Sequence, residues 1–256
     1  MTFTGFVGTV CMFPMRAIIA VSVALRIHPN TLTLIGLLIN IAAAWALALD
    51  RFLLGGLIMV VANIFDFIDG KVAALTNTGS QFGAFWDSTL DRLSDIALFL
   101  GLIYLYSSLH RTDYVIMTAL AMMFSIMTSY TRARAESLIE KCKVGFMERP
   151  ERIVLFMIGA FTDRMAGVLW VILILSIVAV ANRVHYTYLT LNNRPLPTGS
   201  NVVTRAFWRV FLWRDARMTL PYDGWVIAIL AFVWLIPPDW LRDPTAFGAG
   251  LWEFLR

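Results

Sequence analysis

The chain has 256 residues, of which 59% are hydrophobic and only 15% are charged. Soluble domains usually contain about 25% charged residues, so this composition excludes a disordered chain and an ordinary soluble enzyme. The net charge of +4 does not indicate a nucleic-acid partner, because basic residues also flank the cytoplasmic ends of membrane helices. Long unbroken apolar runs predict an all-α integral membrane protein rather than a β-barrel, whose segments alternate over about 10 residues.

Six apolar stretches come close to the length of about 20 residues that a helix needs to cross a bilayer. In chain order they are residues 31–49, 53–75, 82–107, 113–134, 150–163 and 165–190. A seventh candidate span lies near residues 224–238. Residues 1–25 are apolar but lack the basic start and the cleavage site of a signal peptide, so we interpret them as a helix lying in the membrane interface.

These stretches divide the chain into a membrane domain, residues 1–190, and a C-terminal extension, residues 191–256. The extension carries the seventh candidate span. It also contains a segment at 205–217 in which arginines alternate with aromatic residues. We expect this segment to form an amphipathic helix, which would lie on the cytoplasmic leaflet or bind a partner.

The basic residues predict the orientation of the bundle. The connection after the fourth span holds Arg132, Arg134, Lys141, Lys143, Arg149 and Arg152. The stretch after the sixth span holds Arg183, Arg194, Arg205, Arg209, Arg214 and Arg217. The connections on the other side hold only Arg51, Arg111 and Arg164. Because positive charge is retained in the cytoplasm, the N-terminus and the two basic connections are predicted to lie there.

Acidic residues interrupt the apolar pattern of the second and third spans. Asp66 and Asp69 are three residues apart, and Asp87 and Asp91 are four apart, so each pair projects from one side of its helix. Four facing carboxylates would repel one another, and a hard divalent cation such as Mg²⁺ or Mn²⁺ would relieve that repulsion. They could hold one ion or two. Since bound Mg²⁺ usually completes its shell with substrate phosphates, the acids predict a phosphate-bearing substrate.

Two other interpretations of these acids stay open on the residues alone. The acids could form salt bridges within the membrane, with Arg92 pairing with Asp91 or Asp95. They could also line the path of an intramembrane cation or proton transporter. The absence of an internal repeat, which transporters often show, favours an enzyme over a transporter.

The spacing of the acids resembles the motif D-x2-D-G-x2-A-R-x8-G-x3-D-x3-D of the CDP-alcohol phosphotransferase family. The chain has Asp66-x2-Asp69-Gly70-x2-Ala73-Ala74-x8-Gly83-x3-Asp87-x3-Asp91. It also has the family's entry to the first span, His28-Pro29-Asn30-Thr31-Leu32-Thr33. The resemblance covers approximately residues 20–190, with the usual six helices, and departs at Ala74, where the family has Arg.

The resemblance implies a transferase of phospholipid biosynthesis. In the family, the hydroxyl of a polar alcohol attacks the β-phosphorus of a CDP-linked lipid such as CDP-diacylglycerol, and CMP leaves. The resemblance assigns Asp66, Asp69 and Asp87 to metal binding, and Asp91 to metal binding and to the general base. It also implies two Mg²⁺ or Mn²⁺ ions, which would neutralise the pyrophosphate, and a homodimer.

For the nucleotide, the resemblance implies that Gly70, Ala73 and Gly83 lie beside the CDP group. Ala74 cannot hold a phosphate as the family's Arg would. Lys71, one turn earlier on the same side of the helix, could supply that charge as a point charge. Alternatively, the chain binds the nucleotide more weakly or prefers a different donor, or it has lost activity and serves as a scaffold.

For the acceptor, residues 129–136 and 145–152 resemble the phosphatidylinositol-phosphate synthase branch of the family. This implies inositol phosphate as the acceptor, with its phosphate held by Ser129, Arg132, Arg149 and Arg183. Arg134 and Arg152 are interpreted as positive-inside residues at helix ends. Branches that make phosphatidylglycerophosphate or archaeal lipids share parts of the pattern and remain alternatives. The expected protein is a multi-pass protein of the cell membrane whose active site faces the cytoplasm.

Overall fold

The computed structural model describes residue 15 and residues 18–197, 200–213 and 219–246, and these residues contain helices and no strand. Six helices follow the six predicted spans. They are α1 (Pro29–Ala48), α2 (Phe52–Thr76), α3 (Gln81–Ser108), α4 (Thr112–Glu136), α5 (Arg149–Thr162) and α6 (Met165–Leu191). The C-terminal extension adds α7 (Val202–Leu212), α8 (Leu220–Leu235) and α9 (Pro238–Leu241). The predicted all-α architecture is confirmed.

The protein is a multi-pass membrane protein. By length and composition, α1, α2, α4 and α6 can each cross a bilayer. α3 has 28 residues, but Asp87, Asp91 and Asp95 are among them. α5 has only 14 residues. The crossing by these two helices stays a prediction, because acids lower the hydropathy of α3 and a helix of 14 residues rises only about 21 Å.

Local signals in the sequence determine where these helices begin and end. Pro29 occupies the first turn of α1, and His28 Nδ1 caps it by accepting a hydrogen bond from the backbone of Asn30 at 3.2 Å. The hydroxyl of Ser80 caps α3 by accepting from the backbone N–H of Gly83 at 2.9 Å. α5 ends at Thr162. The next residue, Asp163, has a left-handed backbone conformation, which turns the chain towards α6.

The packing of α1 against α2 and α3 brings the two acid-bearing helices together. At the α1–α3 crossing, Gly101 faces the backbone of Ala44 so closely that a Cβ atom at Gly101 could not be accommodated. Farther into the bundle, the rings of Phe99 on α3 and Phe156 on α5 pack edge to face with centroids 5.0 Å apart. α5 also contacts α2, so the first turn of α5 lies near the acids.

Helices α8 and α9 of the extension lie along the bundle and contact both of its ends. At the start of α8, the Tyr222 hydroxyl donates to Glu151 in the first turn of α5, at 2.9 Å. Beyond its end, the carbonyl of Leu241 accepts from the hydroxyl of Tyr114 in the first turn of α4. Since α4 and α5 begin at opposite ends of the bundle, α8 extends between these ends. This placement supports the predicted seventh span.

Some predictions fall partly on residues that the structure does not describe. Residues 18–24 of the predicted interfacial segment are helical, whereas residues 1–14 lie outside the described part. α7 covers the first part of the predicted amphipathic segment, and Arg214 and Arg217 lie outside. α6 ends at Leu191, next to the predicted domain boundary. That boundary stays a prediction.

Candidate active site

The four predicted acids lie on the facing sides of α2 and α3. Asp69 is only 5% exposed, and Asp66 and Asp91 are largely buried. Asp87 interacts electrostatically with both Asp66 and Asp69 across the helix pair. The helical spacing in the sequence therefore predicted correctly that the two pairs face each other.

α1 supplies two residues to this site that our sequence analysis did not identify. The Thr33 hydroxyl donates to Oδ2 of Asp69 at 2.6 Å, which holds this carboxylate in place. Gly36 faces Oδ1 of Asp66, and a Cβ atom there would overlap this oxygen. Thr33 ends the family's entry motif, so that motif was the available signal. No comparable signal pointed to Gly36.

A guanidinium from α5 lies between the two acid-bearing helices. Arg149 Nη2 binds Oδ2 of Asp66 at 2.6 Å, and its Nη1 binds Oδ1 of Asp91 at 2.9 Å. Its Nε lies 3.6 Å from Oδ1 of Asp95. The salt-bridge interpretation of the acids is thus realised in this arrangement, but the cation comes from α5 and not from Arg92. Arg92 instead donates to the backbone carbonyl of Ser88.

The chemistry of these acids can be compared with the needs of a divalent cation. In the present arrangement, no three His, Cys, Asp or Glu side chains among the described residues are close enough together to hold a metal ion. However, Asp66 and Asp91 already share one cationic group, and Asp69 and Asp87 add two further oxygen ligands. Carboxylate oxygens are the ligands of hard divalent cations. The residues therefore fit such an ion once Arg149 moves away.

Arg152 overturns one sequence interpretation. We interpreted it as a positive-inside residue at a helix end, but its side chain is only 2% exposed and forms an ion pair with buried Asp95. Its Nη1 also donates to the hydroxyl of Thr128 at 3.2 Å. The interpretation was wrong because a charge in the first turn of a helix gives the same sequence pattern whether it faces water or a buried acid. Arg134 is exposed, as expected.

The four predicted acceptor residues line a single cavity beside the acids. This acceptor cavity has a volume of about 270 Å³ and is lined by Arg92, Thr128, Ser129, Arg132, Ala133, Glu136, Glu148, Arg149, Pro150 and Arg183. Two glutamates hold Arg132: Glu148 at 2.6 Å and Glu136 at 3.2 Å. Arg183 is buried and donates from Nε to the carbonyl of Val144 at 3.0 Å. Our sequence analysis did not identify the two glutamates.

The residues predicted to lie beside the nucleotide occupy the same ends of α2 and α3. A Cβ atom at Gly70 would face open space. At Gly83 it would lie 3.2 Å from the hydroxyl oxygen of Ser80. Lys71 is exposed, with its amino group 5.6 Å from the centre of the Phe67 ring. Within the described residues, Lys71 forms no ion pair with an acidic side chain.

The comparison with known families decides what kind of protein this is. The sequence profile of the CDP-alcohol phosphatidyltransferase family matches residues 26–182, which is more than half of the chain. The chain belongs to this family. The match includes all four acids, and it identifies the protein as an enzyme rather than a transporter. The resemblance seen in the motif is thereby confirmed.

Individual relatives agree with the family. An archaetidylinositol phosphate synthase of Pyrococcus horikoshii is 35% identical over 173 residues, which are 67% of this chain and 89% of the relative. A crystal structure of Mycobacterium tuberculosis phosphatidylinositol phosphate synthase with CDP-DAG bound has a TM-score of 0.63 at 27% identity, covering 68% of this chain and 93% of that chain. Another structure of that synthase, in complex with manganese and citrate, gives the same TM-score and identity, covering 68% of this chain and 88% of that chain.

Proposed function

We propose that this protein transfers the lipid phosphate group of a CDP-linked lipid to inositol phosphate and releases CMP. The observation that carries the proposal is the acceptor cavity. It brings Ser129, Arg132, Arg149 and Arg183 together beside the acids, although these residues come from three helices. Clustered arginines suit a phosphate dianion, because guanidinium groups form charge-assisted hydrogen bonds with phosphate oxygens.

The relatives support the choice of acceptor. The names of the Pyrococcus and Mycobacterium enzymes share inositol phosphate and differ in the lipid part. We therefore assign inositol phosphate as the acceptor and a CDP-lipid, CDP-diacylglycerol or a close analogue, as the donor. A phosphatidylglycerophosphate-type enzyme would also need a phosphate pocket, and the acceptor experiment below includes that alternative.

We assign the metal to Asp66, Asp69, Asp87 and Asp91. The manganese complex of the Mycobacterium synthase supports a divalent cation, and Mg²⁺ or Mn²⁺ bound as two ions is our proposal for this chain. When bound, the ions would neutralise the pyrophosphate of the donor and the charge on the leaving CMP. Thr33 on α1 holds Asp69 by a hydrogen bond, and Gly36 on α1 leaves the space that Asp66 occupies.

The chemistry assigned to the chain's own residues is a single displacement. The acceptor hydroxyl oxygen forms a bond to the lipid-bearing phosphorus, and the bond from that phosphorus to the bridging oxygen of CMP breaks. The oxygen leaves with CMP, and the proton of the hydroxyl goes to Asp91. Asp91 suits this role because it belongs to the acid set and is close to Arg149, which lines the acceptor cavity.

Arg149 is assigned to both halves of the site. Its guanidinium binds Asp66 and Asp91 and also lines the acceptor cavity. A divalent cation entering between the acids would compete with the guanidinium for these carboxylates. The released side chain would then reach the acceptor's phosphate, so metal and acceptor would each favour the binding of the other.

The remaining assignments concern the nucleotide and the surroundings of the enzyme. Gly70, Ala73 and Gly83 are assigned to the CDP site, with Lys71 as a nearby charge in place of the family's Arg at position 74. The positive-inside pattern supports an active site that faces the cytoplasm from the cell membrane. A homodimer is proposed from the family resemblance alone.

An acceptor panel tests the proposed function. CMP release from CDP-diacylglycerol would be measured with inositol phosphate, inositol and glycerol phosphate in the presence of Mg²⁺ or Mn²⁺. We expect turnover with inositol phosphate and little with the other two.

Arg132→Ala should raise the KM for inositol phosphate by roughly ten- to a hundredfold, since a charge-assisted hydrogen bond contributes about 1.5–3 kcal/mol. The exposed Arg134→Ala serves as its control. Equal turnover with unphosphorylated inositol would contradict the proposal, and a preference for glycerol phosphate would favour the alternative.

A further inference from the structure

An apolar groove runs between α5 and the extension helix α8. Its volume is about 570 Å³, far larger than the voids found inside packed proteins. It is lined by Phe146, Pro150, Glu151, Val154, Leu155, Ile158, Phe161, Thr162, Tyr222, Val226, Ile229, Leu230 and Trp234. We call it the α5–α8 groove. The family match covers residues 26–182 and so does not include α8. One wall of the groove therefore lies outside the family match.

The position of the α5–α8 groove relates it to the active site. Pro150 lines both this groove and the acceptor cavity. Its neighbour Arg149 binds Asp66 and Asp91. One end of the groove therefore opens beside the place where the CDP-lipid is proposed to react, and a molecule with its head at the acids can extend its tail into the groove.

The lining of the groove specifies the chemistry of its occupant. Along the middle, the walls are aliphatic, as at Val154 and Leu230. Polar groups lie at the ends, where Glu151 accepts a hydrogen bond from Tyr222 near the active site and Thr162 lies at the far end. This arrangement suits a hydrocarbon chain that begins at a polar headgroup, because the charged side chain of the lining, Glu151, lies at the end nearest the active site.

The length of the groove also suits a hydrocarbon chain. On each wall the first and last lining residues are twelve residues apart, Pro150 and Thr162 on one and Tyr222 and Trp234 on the other. Twelve helical residues rise about 18 Å. One leaflet contributes about half of a hydrocarbon core roughly 30 Å thick. The groove is thus long enough to hold a lipid chain through one leaflet.

From these observations we infer that the α5–α8 groove binds one hydrocarbon chain of the CDP-linked lipid. This inference rests on the proposed function. Inside a bilayer, the groove is about as apolar as the surrounding lipid, so binding there would add little affinity. Its role is to orient the donor: a chain held between α5 and α8 fixes the direction from which the headgroup reaches the acids.

Photolabelling with a CDP-diacylglycerol that carries a diazirine midway along one acyl chain tests this inference. In lipid nanodiscs, we expect the label on peptides from α5 and α8, and an excess of unlabelled CDP-diacylglycerol should compete for it. Val154→Trp should fill the groove and lower α8 labelling by about fivefold or more, because tryptophan adds volume to a confined space. Leu230→Trp repeats the test from the other wall.

Ile227→Trp is the matched control. Ile227 also lies on α8, is 59% exposed and does not line the groove, so this variant should be labelled like the wild type. Labelling of α8 that excess CDP-diacylglycerol does not compete would overturn the inference, since the groove would then hold only bulk lipid. It would also be overturned if α8 stays unlabelled while other helices are labelled. A change of oligomeric state in Val154→Trp without loss of labelling would assign the groove to a second copy.

CMP release by the same photoprobe separates this inference from the proposed function. If the wild type releases CMP with inositol phosphate but α8 is not labelled, the groove inference fails and the proposed function stands. If α8 is labelled competitively but no acceptor yields CMP, the proposed function fails and the groove remains a binding site for the chain of a CDP-lipid.

Discussion

Gly36 leaves room for Asp66 in a way that no other residue type could. A Cβ atom at this position would lie 2.4 Å from Oδ1 of Asp66, so the carboxylate would have to leave its present position. We expect Gly36→Ala to lower the rate of CMP release by at least about tenfold, since small displacements of reacting groups reduce rates strongly. Thermal unfolding in detergent should show that the variant still folds.

The matched control for this substitution is Gly224→Ala. A Cβ atom at Gly224 on α8 would meet no other atom within 4 Å, so its activity should equal that of the wild type. Wild-type turnover by Gly36→Ala would mean that the carboxylate of Asp66 can shift without loss. In that case the close contact between α1 and Asp66 would have no functional role.

Arg149 binds Asp66 and Asp91, which are the carboxylates that we propose for the metal. Arg149→Ala should therefore bind Mn²⁺ more tightly than the wild type when no acceptor is present, by roughly tenfold if one charge-assisted contact is removed. The same variant should need a higher concentration of inositol phosphate for turnover. Mn²⁺ titration followed by electron paramagnetic resonance measures the first effect, with Arg134→Ala as the control. Weaker Mn²⁺ binding by Arg149→Ala would show that the guanidinium supports the ion instead of competing with it.

The residues of the site differ in how far the sequence could predict them. Asp66, Asp69, Asp87 and Asp91 were identified because charge within apolar segments is costly and their spacing is helical. The partners of these acids come from other helices, and a sequence without its fold does not say which basic group reaches them. The pairing of Arg149 with the acids could be seen only in the tertiary structure.

Helices α3 and α5 are joined by a buried ion pair between Asp95 and Arg152. Arg152→Met would leave the Asp95 carboxylate without this partner, and breaking a buried pair on one side costs about 3–5 kcal/mol of unfolding free energy. The double variant Asp95→Leu with Arg152→Met removes both charges and should recover most of the lost stability. Unfolding in detergent measures both variants.

The exposed Arg134→Met is the surface control for the stability of Arg152→Met. If Arg152→Met is as stable as the wild type, the pair contributes nothing to the packing of α5 on α3. A double variant as unstable as the single one would indicate that Arg152 acts through its contact with Thr128 instead.

Some helix ends were predictable because they carry a local signal. Pro29 at the start of α1 and Asp163 at the end of α5 are examples in which proline or a left-handed residue marks the boundary. The course of α8 was less predictable, because a segment of 16 apolar residues can cross a bilayer or pack beside it. Contacts at both of its ends place α8 along the bundle, and its crossing of the bilayer stays a prediction.

The whole molecule is predicted to cross the membrane seven times, so that α9 lies on the side opposite the acceptor cavity. A cysteine at Asp239 should react with a membrane-impermeant maleimide in intact cells. A cysteine at Ser137, after α4, should react only after permeabilisation. Both positions are exposed, and the native Cys11 and Cys142 would first be replaced by alanine. Reaction of both cysteines from the same side would show that α8 does not cross.

The composition and the motif predicted the fold class and the family, but they could not predict how the extension meets the membrane domain. α8 packs against α6 through apolar contacts that could be formed in several registers. The contacts of Tyr222 with Glu151 and of Leu241 with Tyr114 are among those that fix its position. The α5–α8 groove depends on that position, and so could not be found from the sequence.

CMP release from CDP-diacylglycerol, with inositol phosphate and Mn²⁺ present, tests the central claim most directly. The wild type should form CMP and an inositol-phosphate lipid in equal amounts, and chelation of the metal should stop both. Asp69→Asn should lose this activity while remaining folded, because one charge of the cation site is gone. Asp113→Asn, which changes an exposed acid at the start of α4, should behave like the wild type. CMP release by Asp69→Asn at the wild-type rate, or by the wild type without a divalent cation, would contradict the account.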